Sequence, residues 1–426
     1  MTPRDLMLGA FQAALAAADP LKITAAHLPS PPSSAKGKTL VVGAGKAAAA
    51  MALAVEQHWP AHAPLDGLVI TRYQHGLLTN RITVLEAGHP VPDEAGEHAA
   101  REILRRVQAL TPNDHLLALI SGGGSSLLTL PVEGVSMADL KELTRRLLVS
   151  GAPIQQMNIV RKHLSAIQGG QLAAASRAPV TALIISDVTG DEPTHIASGP
   201  CAPDPSTYAD ARDVLKRHNI RAPVSITKHL ERGAAGDIAE TPKPGNSIFN
   251  RVQNQVIGSA HTSLEEASKF LQKQMVTPIL LGDSVTGEAR EVAKVYAALA
   301  REIRIHGAPW KPPVALISGG ECTVTLKGKG RGGRCTEFLL SLAVDLAGSA
   351  AIYALACDTD GIDGSEDNAG AVLTPDALAR AKSLNINAAA LLDNNDGYGF
   401  FDALGDLVVT GPTRTNVNDF RVILIL

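Results

Sequence analysis

The fold is decided by Thr39-Leu40-Val41-Val42-Gly43-Ala44-Gly45-Lys46, an apolar run that ends in glycines and leads into an alanine-rich segment. The same order returns at 115–126, where an apolar run leads into Ser121-Gly122-Gly123-Gly124-Ser125-Ser126, and again at 181–191. Uniformly apolar strands that alternate with helical segments are typical of a parallel sheet covered on both faces. Ligands of such sheets bind beyond the carboxyl ends of the strands, where these glycine, serine and aspartate clusters fall.

The composition narrows the class of protein. The chain has 426 residues, enough for two domains, and 45% of them are hydrophobic. A formal net charge of −3 and an aromatic content of 3% argue against a nucleic-acid-binding protein. No uncharged apolar stretch reaches the roughly eighteen residues of a membrane span, and the four cysteines lack CxxC spacing. We therefore expect a cytoplasmic protein with a small-molecule substrate and without a membrane or nucleic-acid partner, compatible with a homodimer.

A domain boundary is predicted near residue 240, because segments 231–236 and 241–245 are rich in glycine or proline. Residues 1–240 are expected to form a Rossmann-like α/β domain, and residues 241–426 a smaller α/β domain. The final run Val422–Leu426 is apolar and predicts a buried strand, which could return to the N-terminal domain.

The turn Gly43-Ala44-Gly45-Lys46-Ala47-Ala48 fits the G-x-G-x-x-A pattern of dinucleotide-binding folds. That pattern also needs an acid at the end of the next strand, where this chain has Thr71-Arg72-Tyr73. The NAD hypothesis is therefore weakened. What remains is Lys46 beside backbone N–H groups at a helix start, an arrangement that attracts phosphate or carboxylate. A solvated surface lysine is the alternative.

The glycine run after the 115–120 strand is the second candidate site. Three consecutive glycines let backbone N–H groups converge on an anion, and the flanking serines add hydroxyl donors. The residues concerned are Ser121, Gly122, Gly123, Gly124, Ser125 and Ser126. They indicate a site for a polyphosphate or a small acid, with a flexible turn as the alternative.

A basic cluster follows on a predicted helix, where Asn158, Arg161 and Lys162 are expected on one face. Beside a glycine turn, an arginine fork could grip a carboxylate or a phosphate. A solvent-exposed basic face is the alternative.

Acidic turns follow several strands. Carboxylates after a buried strand suggest Mg²⁺ held together with substrate phosphates. The candidate metal ligands are Asp187, Asp191, Glu321 and Asp360. Helix capping is the alternative for Asp191.

The segment Gly328–Arg334 is rich in glycine and positive charge. It predicts a mobile loop that brings Arg334 to a developing charge, with a solubilising hairpin tip as the alternative.

The ordered set of motifs resembles the type-2 glycerate kinase family, also called the MOFRL family. The carriers span nearly the whole chain: Val42–Ala47, Gly88–Asp93, Ser121–Ser126, Asn158–Ser165, Ser186–Glu192, Ser198–Pro200, Ser318–Glu321, Gly330–Arg334, Asp360–Gly364 and Thr410–Asp419. The resemblance implies ATP-dependent phosphorylation of D-glycerate to 2-phosphoglycerate. It also implies a Rossmann-like domain, a smaller α/β domain and an active site in the cleft between them.

The resemblance further implies catalytic roles for Lys46, Arg334 and the acidic turn at Asp360. Many members have Asn-Gln where this chain has Cys335-Thr336, so any contact made by those amides is lost.

The mechanism expected from these residues is phosphoryl transfer by alignment and charge neutralisation. Lys46 and Arg334 would neutralise the moving phosphoryl group, Asp191 would orient the glycerate hydroxyl, and Arg161 or Lys162 would hold its carboxylate. ATP and Mg²⁺ would bind at the remaining candidates: Gly43, Gly45, Ser121–Ser126, Asn158, Gly319, Glu321 and Asp360. An NAD(P)H-dependent hydroxypyruvate reductase and a non-catalytic sensor of a phosphorylated acid are the alternatives.

Overall fold

A computed structural model describes residues 1–33 and 37–426. The α-helices are α1 (Pro3–Ala17), α2 (Pro20–Ala26), α3 (Ala48–His58), α4 (Glu94–Gln108), α5 (Gly124–Leu127), α6 (Met137–Val149), α7 (Ile154–His163), α8 (Gln171–Ala175), α9 (Tyr208–Arg217), α10 (Val224–Ala234), α11 (Ala260–Lys273), α12 (Ala289–His306), α13 (Arg334–Leu346), α14 (Ala377–Ser383), α15 (Ala388–Asp393) and α16 (Gly397–Leu404). The strands are β1 (Thr39–Ala44), β2 (Leu65–Arg72), β3 (Ile82–Ala87), β4 (His115–Ser121), β5 (Val180–Ile185), β6 (Val252–Gly258), β7 (Thr277–Leu280), β8 (Gly287–Glu288), β9 (Val314–Gly320), β10 (Cys322–Thr323), β11 (Ile352–Asp358), β12 (Gly370–Leu373), β13 (Leu407–Val408) and β14 (Asp419–Ile425). Two 3₁₀ turns span Ile196–Ser198 and Ser247–Arg251.

The chain divides into two compact units, residues 20–257 and residues 1–19 with 258–426. The division differs from the expected boundary at residue 240, because β6 is the edge strand of the first sheet and keeps the preceding segment in that unit. It also differs at the N-terminus, since α1 buries Met7 and Phe11 in one core cluster with Leu264 and Leu271 of α11.

The first unit is built on a six-stranded sheet with the order β3-β2-β1-β4-β5-β6. The pairs from β3 to β5 are all parallel, and every residue of β1 and β4 is buried, as expected when helices cover both faces. The predicted Rossmann-like α/β class is confirmed by this order. The strand order reverses between β1 and β4, and the crevice beyond their carboxyl ends is where such sheets bind ligands. The turns at Gly43–Lys46 and Ser121–Ser126 therefore meet at one place.

The second unit has a mixed six-stranded sheet with the order β13-β12-β11-β14-β9-β7. The last strand, β14, pairs antiparallel with β11 and with β9 at the centre of this sheet. It therefore does not return to the first sheet. Its fully buried run of apolar residues, interrupted by Arg421, explains why a central position is favourable.

Helix α1 buries its apolar face in the second unit. Within residues 1–33 and 37–426, no single helix is long and apolar enough to cross a membrane, and only α1 and α2 counted together reach that length and composition.

Candidate active site

The β1 and β4 turns are locked to each other by hydrogen bonds. The Lys46 N–H donates to the Gly122 carbonyl at 2.8 Å, and the Ala47 N–H donates to Ser121 Oγ at 3.1 Å. Gly45 has φ +140°, and a Cβ at this position would clash with Ser121 Oγ, so the close approach requires glycine. The N–H groups of the Gly45–Ala47 turn are thus used internally. They do not form the anion cradle that the sequence predicted there.

Three ionisable side chains gather over the glycines that follow β4. A Cβ at Gly122 would clash with the Asp187 carboxylate, and a Cβ at Gly123 would lie 3.0 Å from His89 Nε2 and 3.4 Å from Lys46 Cγ. Gly123 has φ +81°, which glycine alone adopts without strain. Lys46, His89 and Asp187 are all partly exposed, so they can reach a ligand placed on this turn.

The glycine turn itself keeps donors available. Within the described ranges, the N–H groups of Gly123 and Gly124 donate no hydrogen bond. The two serine hydroxyls have different hydrogen-bond partners. Ser126 Oγ donates to the Gly123 carbonyl, whereas Ser125 Oγ lies 2.9 Å from Ser198 Oγ. The β4 turn is therefore better suited to an anion than the β1 turn.

Beside the glycine turn is a small pocket with mostly hydroxyl-bearing walls. Its lining residues are Pro92, Ser125, Ser126, Thr129, Leu140, Thr144, Arg161, Ser165 and Gln168. Burial lowers the pKa of Arg161 to about 10, still well above neutral pH, so the guanidinium is charged. Its Nη1 donates to Asn158 Oδ1 at 3.2 Å, and Arg161 forms no ion pair with any described residue. A cation without a counter-ion in a hydroxyl-lined pocket suits a small anion.

Lys162, the neighbour of Arg161, has a different environment. Its ammonium is buried, lies 3.3 Å from Asp204 Oδ1 and donates to Thr194 Oγ1 at 2.7 Å. Burial lowers the pKa of Lys162, and Asp204 opposes that shift. We expected Lys162 to bind a substrate anion. In the structure Asp204 occupies that role, because its carboxylate already neutralises the ammonium.

Asp191 lies in the turn after β5 with a left-handed backbone, φ +54°. Its N–H donates to the Val188 carbonyl, and its side chain is partly exposed. No helix begins there, so the capping alternative does not apply within this part of the structure. The backbone strain is of the kind that persists at ligand-binding turns.

In the second unit, Arg334 is surrounded by three carboxylates. Nε lies 2.7 Å from Asp419 Oδ1, Nη2 lies 2.7 Å from Asp358 Oδ2, and Nη1 lies 2.5 Å from Glu321 Oε1. Burial alone would lower the pKa of Arg334, but these acids outweigh it and raise that pKa well above the usual value. Arg334 is the first residue of α13. It is thus fixed by ion pairs and is not the tip of a mobile loop.

The segment before Arg334 is also held in place. The N–H groups of Lys327 and Gly328 donate to Asn395 Oδ1, and the Arg331 N–H donates to Asp396 Oδ1 at 3.1 Å. The predicted mobile loop is replaced by a segment pinned to the turn after α15. Its glycines at 328 and 330 approach the Asn394 carbonyl too closely for a Cβ.

The acidic turn after β11 is mainly a structural element. Asp360 is 4% exposed, and its Oδ1 accepts from the Ile362 N–H at 2.9 Å. Asp363 is fully buried and accepts from the N–H groups of Cys335 and Thr336, both at 2.9 Å. Burial raises the pKa of Asp363. The side chains of Cys335 and Thr336 are buried, so the departure from the Asn-Gln of many family members concerns α13 packing in this chain.

The backbone of Gly319 is hydrogen-bonded within the second unit. Its N–H donates to the Gly282 carbonyl at 2.9 Å, and its carbonyl accepts from Arg421 Nη1 at 3.3 Å. The Gly319 N–H is therefore not available to a ligand.

The four predicted metal ligands fall into both units, Asp187 and Asp191 in the first, Glu321 and Asp360 in the second. Residues 1–33 and 37–426 contain no group of three or more His, Cys, Asp or Glu side chains placed to hold a metal ion. Magnesium commonly takes only one or two carboxylates and substrate phosphates, so a single acid such as Asp187 beside the glycine turn still fits its donor preference.

Four residues in these clusters were not among the sequence candidates. His89 lies in the Gly88–Asp93 motif and Ser198 in Ser198–Pro200, and the sequence pattern by itself indicates no role for either residue. Asp358 and Asp419 stood at the edges of polar turns. Both carboxylates pair with Arg334, which is 24 residues from Asp358 and 85 residues from Asp419 in the chain, and sequence spacing does not reveal such contacts.

Comparison with known proteins agrees with this fold. Residues 6–231 match the family model "Domain of unknown function (DUF4147)", and residues 314–419 match the MOFRL family. The chain is 39% identical to a glycerate 2-kinase of Pyrococcus horikoshii, over 92% of this chain and 88% of that protein. It is 48% identical to a protein of Agrobacterium vitis provisionally named a hydroxypyruvate reductase, over 100% of this chain and 95% of the other. A crystal structure of glycerate kinase from Thermotoga maritima matches with a TM-score of 0.87 and 36% identity, covering 99% of each chain.

The fold and the matches define the class as a two-part α/β protein that combines a DUF4147 region with a MOFRL region. Within that class, the chain belongs to the type-2 glycerate kinase (MOFRL) family.

Proposed function

We propose that this protein is a glycerate 2-kinase, which transfers the γ-phosphoryl group of ATP to D-glycerate and yields 2-phosphoglycerate and ADP. The observation that carries the proposal is the glycine turn after β4. Lys46, His89 and Asp187 gather over it, and the pocket that contains the uncompensated Arg161 lies beside it. The names of the Pyrococcus and Thermotoga relatives support the same reaction.

Arg161 is proposed to bind the glycerate carboxylate. An arginine fork matches the two carboxylate oxygens, and hydroxyls such as Ser125 and Thr129 can accept or donate to the substrate hydroxyls. Asp191 is proposed to orient the reacting hydroxyl, because it lies in the neighbouring turn after β5 and its carboxylate is partly exposed.

The donors at Gly123 and Gly124 are proposed to hold phosphate oxygens. Lys46 then stabilises the negative charge on the transferring group, which is where phosphoryl transfer needs a fixed cation. Mg²⁺, when bound, supplies further neutralisation of the phosphates, and Asp187 is the proposed protein ligand. His89 lies over Gly123, so it contacts the same phosphates either as a hydrogen-bond donor or, when protonated, as a cation.

Arg334 is proposed as the second cation of the reaction. Asp358 and Asp419 are 7% and 0% exposed and fix the guanidinium, whereas Glu321 is 56% exposed. The Nη1 bond to Glu321 is therefore the one that a phosphate oxygen can replace with the least rearrangement.

The reductase alternative is supported by the names of two Agrobacterium vitis relatives, which are 48% and 46% identical to this chain. It needs an acid for the cofactor ribose at the end of β2, where Thr71 instead donates to the Lys46 carbonyl. A direct assay separates the two reactions. Purified protein is mixed with D-glycerate, ATP and Mg²⁺, or with hydroxypyruvate and NADH.

Glycerate-dependent ADP release supports the kinase, and NADH oxidation with no ADP release rejects it. Enolase added to the reaction identifies the product, since enolase accepts 2-phosphoglycerate directly. If glycerate only raises the melting temperature and neither reaction proceeds, the protein is a sensor.

A further inference from the structure

Two neighbouring residues after β5 have strained backbones. Ala197 has φ +51° and Ser198 has φ +58°, both in the left-handed region that non-glycine residues rarely adopt. A left-handed conformation brings the Cβ of an L-residue close to the following carbonyl oxygen and is therefore unfavourable. Ser198 is fully buried, so its conformation is imposed by the surrounding structure. Strain of this kind is retained where it places a side chain that function needs.

The strained backbone places the Ser198 hydroxyl between two polar groups. Ser198 Oγ donates to Asn158 Oδ1 at 3.1 Å and lies 2.9 Å from Ser125 Oγ. Asn158 is itself fixed from its other end, since Nδ2 donates to the His195 carbonyl at 3.1 Å. The orientation of the Asn158 amide is therefore determined, with its oxygen directed to Ser198 and to Arg161.

Arg161 Nη1 donates to that same Asn158 oxygen at 3.2 Å. An amide oxygen holds the guanidinium without neutralising it, unlike the carboxylates that pair with Lys162 and Arg334. A buried or half-buried cation normally acquires a carboxylate partner, because desolvation of an isolated charge is costly. The neutral partner leaves the full charge of Arg161 for a ligand in the pocket.

We propose that Ser198 and Asn158 are positioning residues, which hold Arg161 in place and keep its charge uncompensated for the carboxylate of glycerate. Ser198 acts through Asn158, and the left-handed backbone at 197–198 exists to bring its hydroxyl there. The inference rests on the proposed function, because it assumes that Arg161 binds the acid substrate.

The test compares two glycine substitutions with different effects on the hydroxyl. Ser198→Gly removes both the strain and the hydroxyl, whereas Ala197→Gly removes strain at the adjacent position and leaves every hydrogen bond of Ser198 intact. We expect S198G to raise the KM for D-glycerate about five-fold or more, the effect of one lost hydrogen bond. The KM for ATP should change little in S198G, and A197G, which keeps the Ser198 hydroxyl, should raise the KM for D-glycerate less than S198G does. Thermal unfolding of both variants checks that the fold is retained.

Asn158→Asp provides a second test that does not depend on the stability of the glycine variants. The carboxylate keeps an acceptor for Arg161 and Ser198 but neutralises the guanidinium, so the KM for D-glycerate should rise at least about ten-fold. Calorimetric titration of D-glycerate into each protein gives the same comparison without turnover.

The results distinguish the two proposals. If the unaltered protein does not phosphorylate D-glycerate, the proposed function fails and this inference fails with it. If the unaltered protein is active but S198G and N158D bind D-glycerate as tightly as it does, the function stands and the positioning role is overturned. An equal rise of the KM for ATP and for D-glycerate in S198G would also overturn it, since that pattern indicates general disruption of the site.

Discussion

Arg334 Nε lies 2.7 Å from Asp419 Oδ1, and the other oxygen of Asp419 accepts from Arg421 Nη2 at 2.5 Å. Arg421 is fully buried, so its ion pair fixes one oxygen of Asp419 while the other oxygen holds Arg334. The guanidinium of Arg334 is thus oriented by a chain of two ion pairs before any substrate binds. Such preorganisation is what makes a fixed cation effective in stabilising a transition state.

Arg334→Lys should lower turnover about ten- to a hundred-fold, because a compact ammonium cannot reproduce the planar guanidinium whose three nitrogens reach three separate carboxylates. Steady-state kinetics with D-glycerate and ATP measure the effect. Arg331→Lys is the matched control in the same segment, since Arg331 is exposed and its side chain lies over Tyr398. Equal turnover of R334K and the unaltered protein would remove Arg334 from the mechanism.

Lys46→Ala should lower kcat by about two orders of magnitude or more, as expected when one fixed charge is removed from the transition state. The KM for D-glycerate should change less than kcat, because Arg161 is the proposed carboxylate ligand. The exposed Lys228 supplies the control substitution Lys228→Ala. An unchanged kcat in K46A would contradict the role given to this lysine.

Magnesium removal should abolish kinase activity, and Asp187→Asn should raise the Mg²⁺ concentration needed for half-maximal rate. The amide retains one oxygen but loses the negative charge that attracts a hard cation. The measurement is a titration of MgCl₂ into chelator-treated protein at saturating ATP and D-glycerate. Glu133→Gln, at an exposed position, is the control. If D187N follows the same magnesium curve as the unaltered protein, Asp187 is not a ligand.

Lys162→Met should destabilise the first unit by about 3–5 kcal/mol, because it leaves the buried Asp204 carboxylate without its cation. The double variant Lys162→Met with Asp204→Leu should recover part of that loss. Urea unfolding followed by circular dichroism measures both. A fully stable K162M would show that Ser206 and Thr241, which also bond Asp204, suffice to stabilise the charge.

The pH dependence of the unfolding free energy should reveal how much the ionised Asp204 carboxylate stabilises the fold. Burial alone would raise the pKa of Asp204, but Lys162, Ser206 and His163 outweigh it and lower that pKa below the ordinary 3.8. A depressed carboxyl pKa contributes stability that is fully present above the unfolded-state pKa and is lost as the pH falls through the folded-state value. Unfolding free energies measured from pH 6 downwards should therefore decline less steeply below about pH 4 in Asp204→Asn than in the unaltered protein. Parallel curves would contradict the assignment.

Much of the first unit could be predicted from sequence. The apolar runs that end in glycine predicted β1 and β4, and the close contact between their turns follows from the small size of Gly45. The domain boundary was harder to predict from the sequence. Glycine and proline near residue 240 are typical of a linker, but β6 follows them and still belongs to the first sheet. Edge-strand pairing depends on partners that local composition does not specify.

Sequence alone determined that buried parallel strands end in glycine turns and that cations and acids follow them, since strand patterning and turn chemistry are local properties. Only the tertiary structure decided which charges are neutralised. Arg161 and Lys162 are adjacent in the chain. The Lys162 ammonium pairs with the Asp204 carboxylate, whereas the Arg161 guanidinium donates to the neutral amide of Asn158. The net charge that each cation presents depends on partners distant in sequence, and those are brought together only by folding.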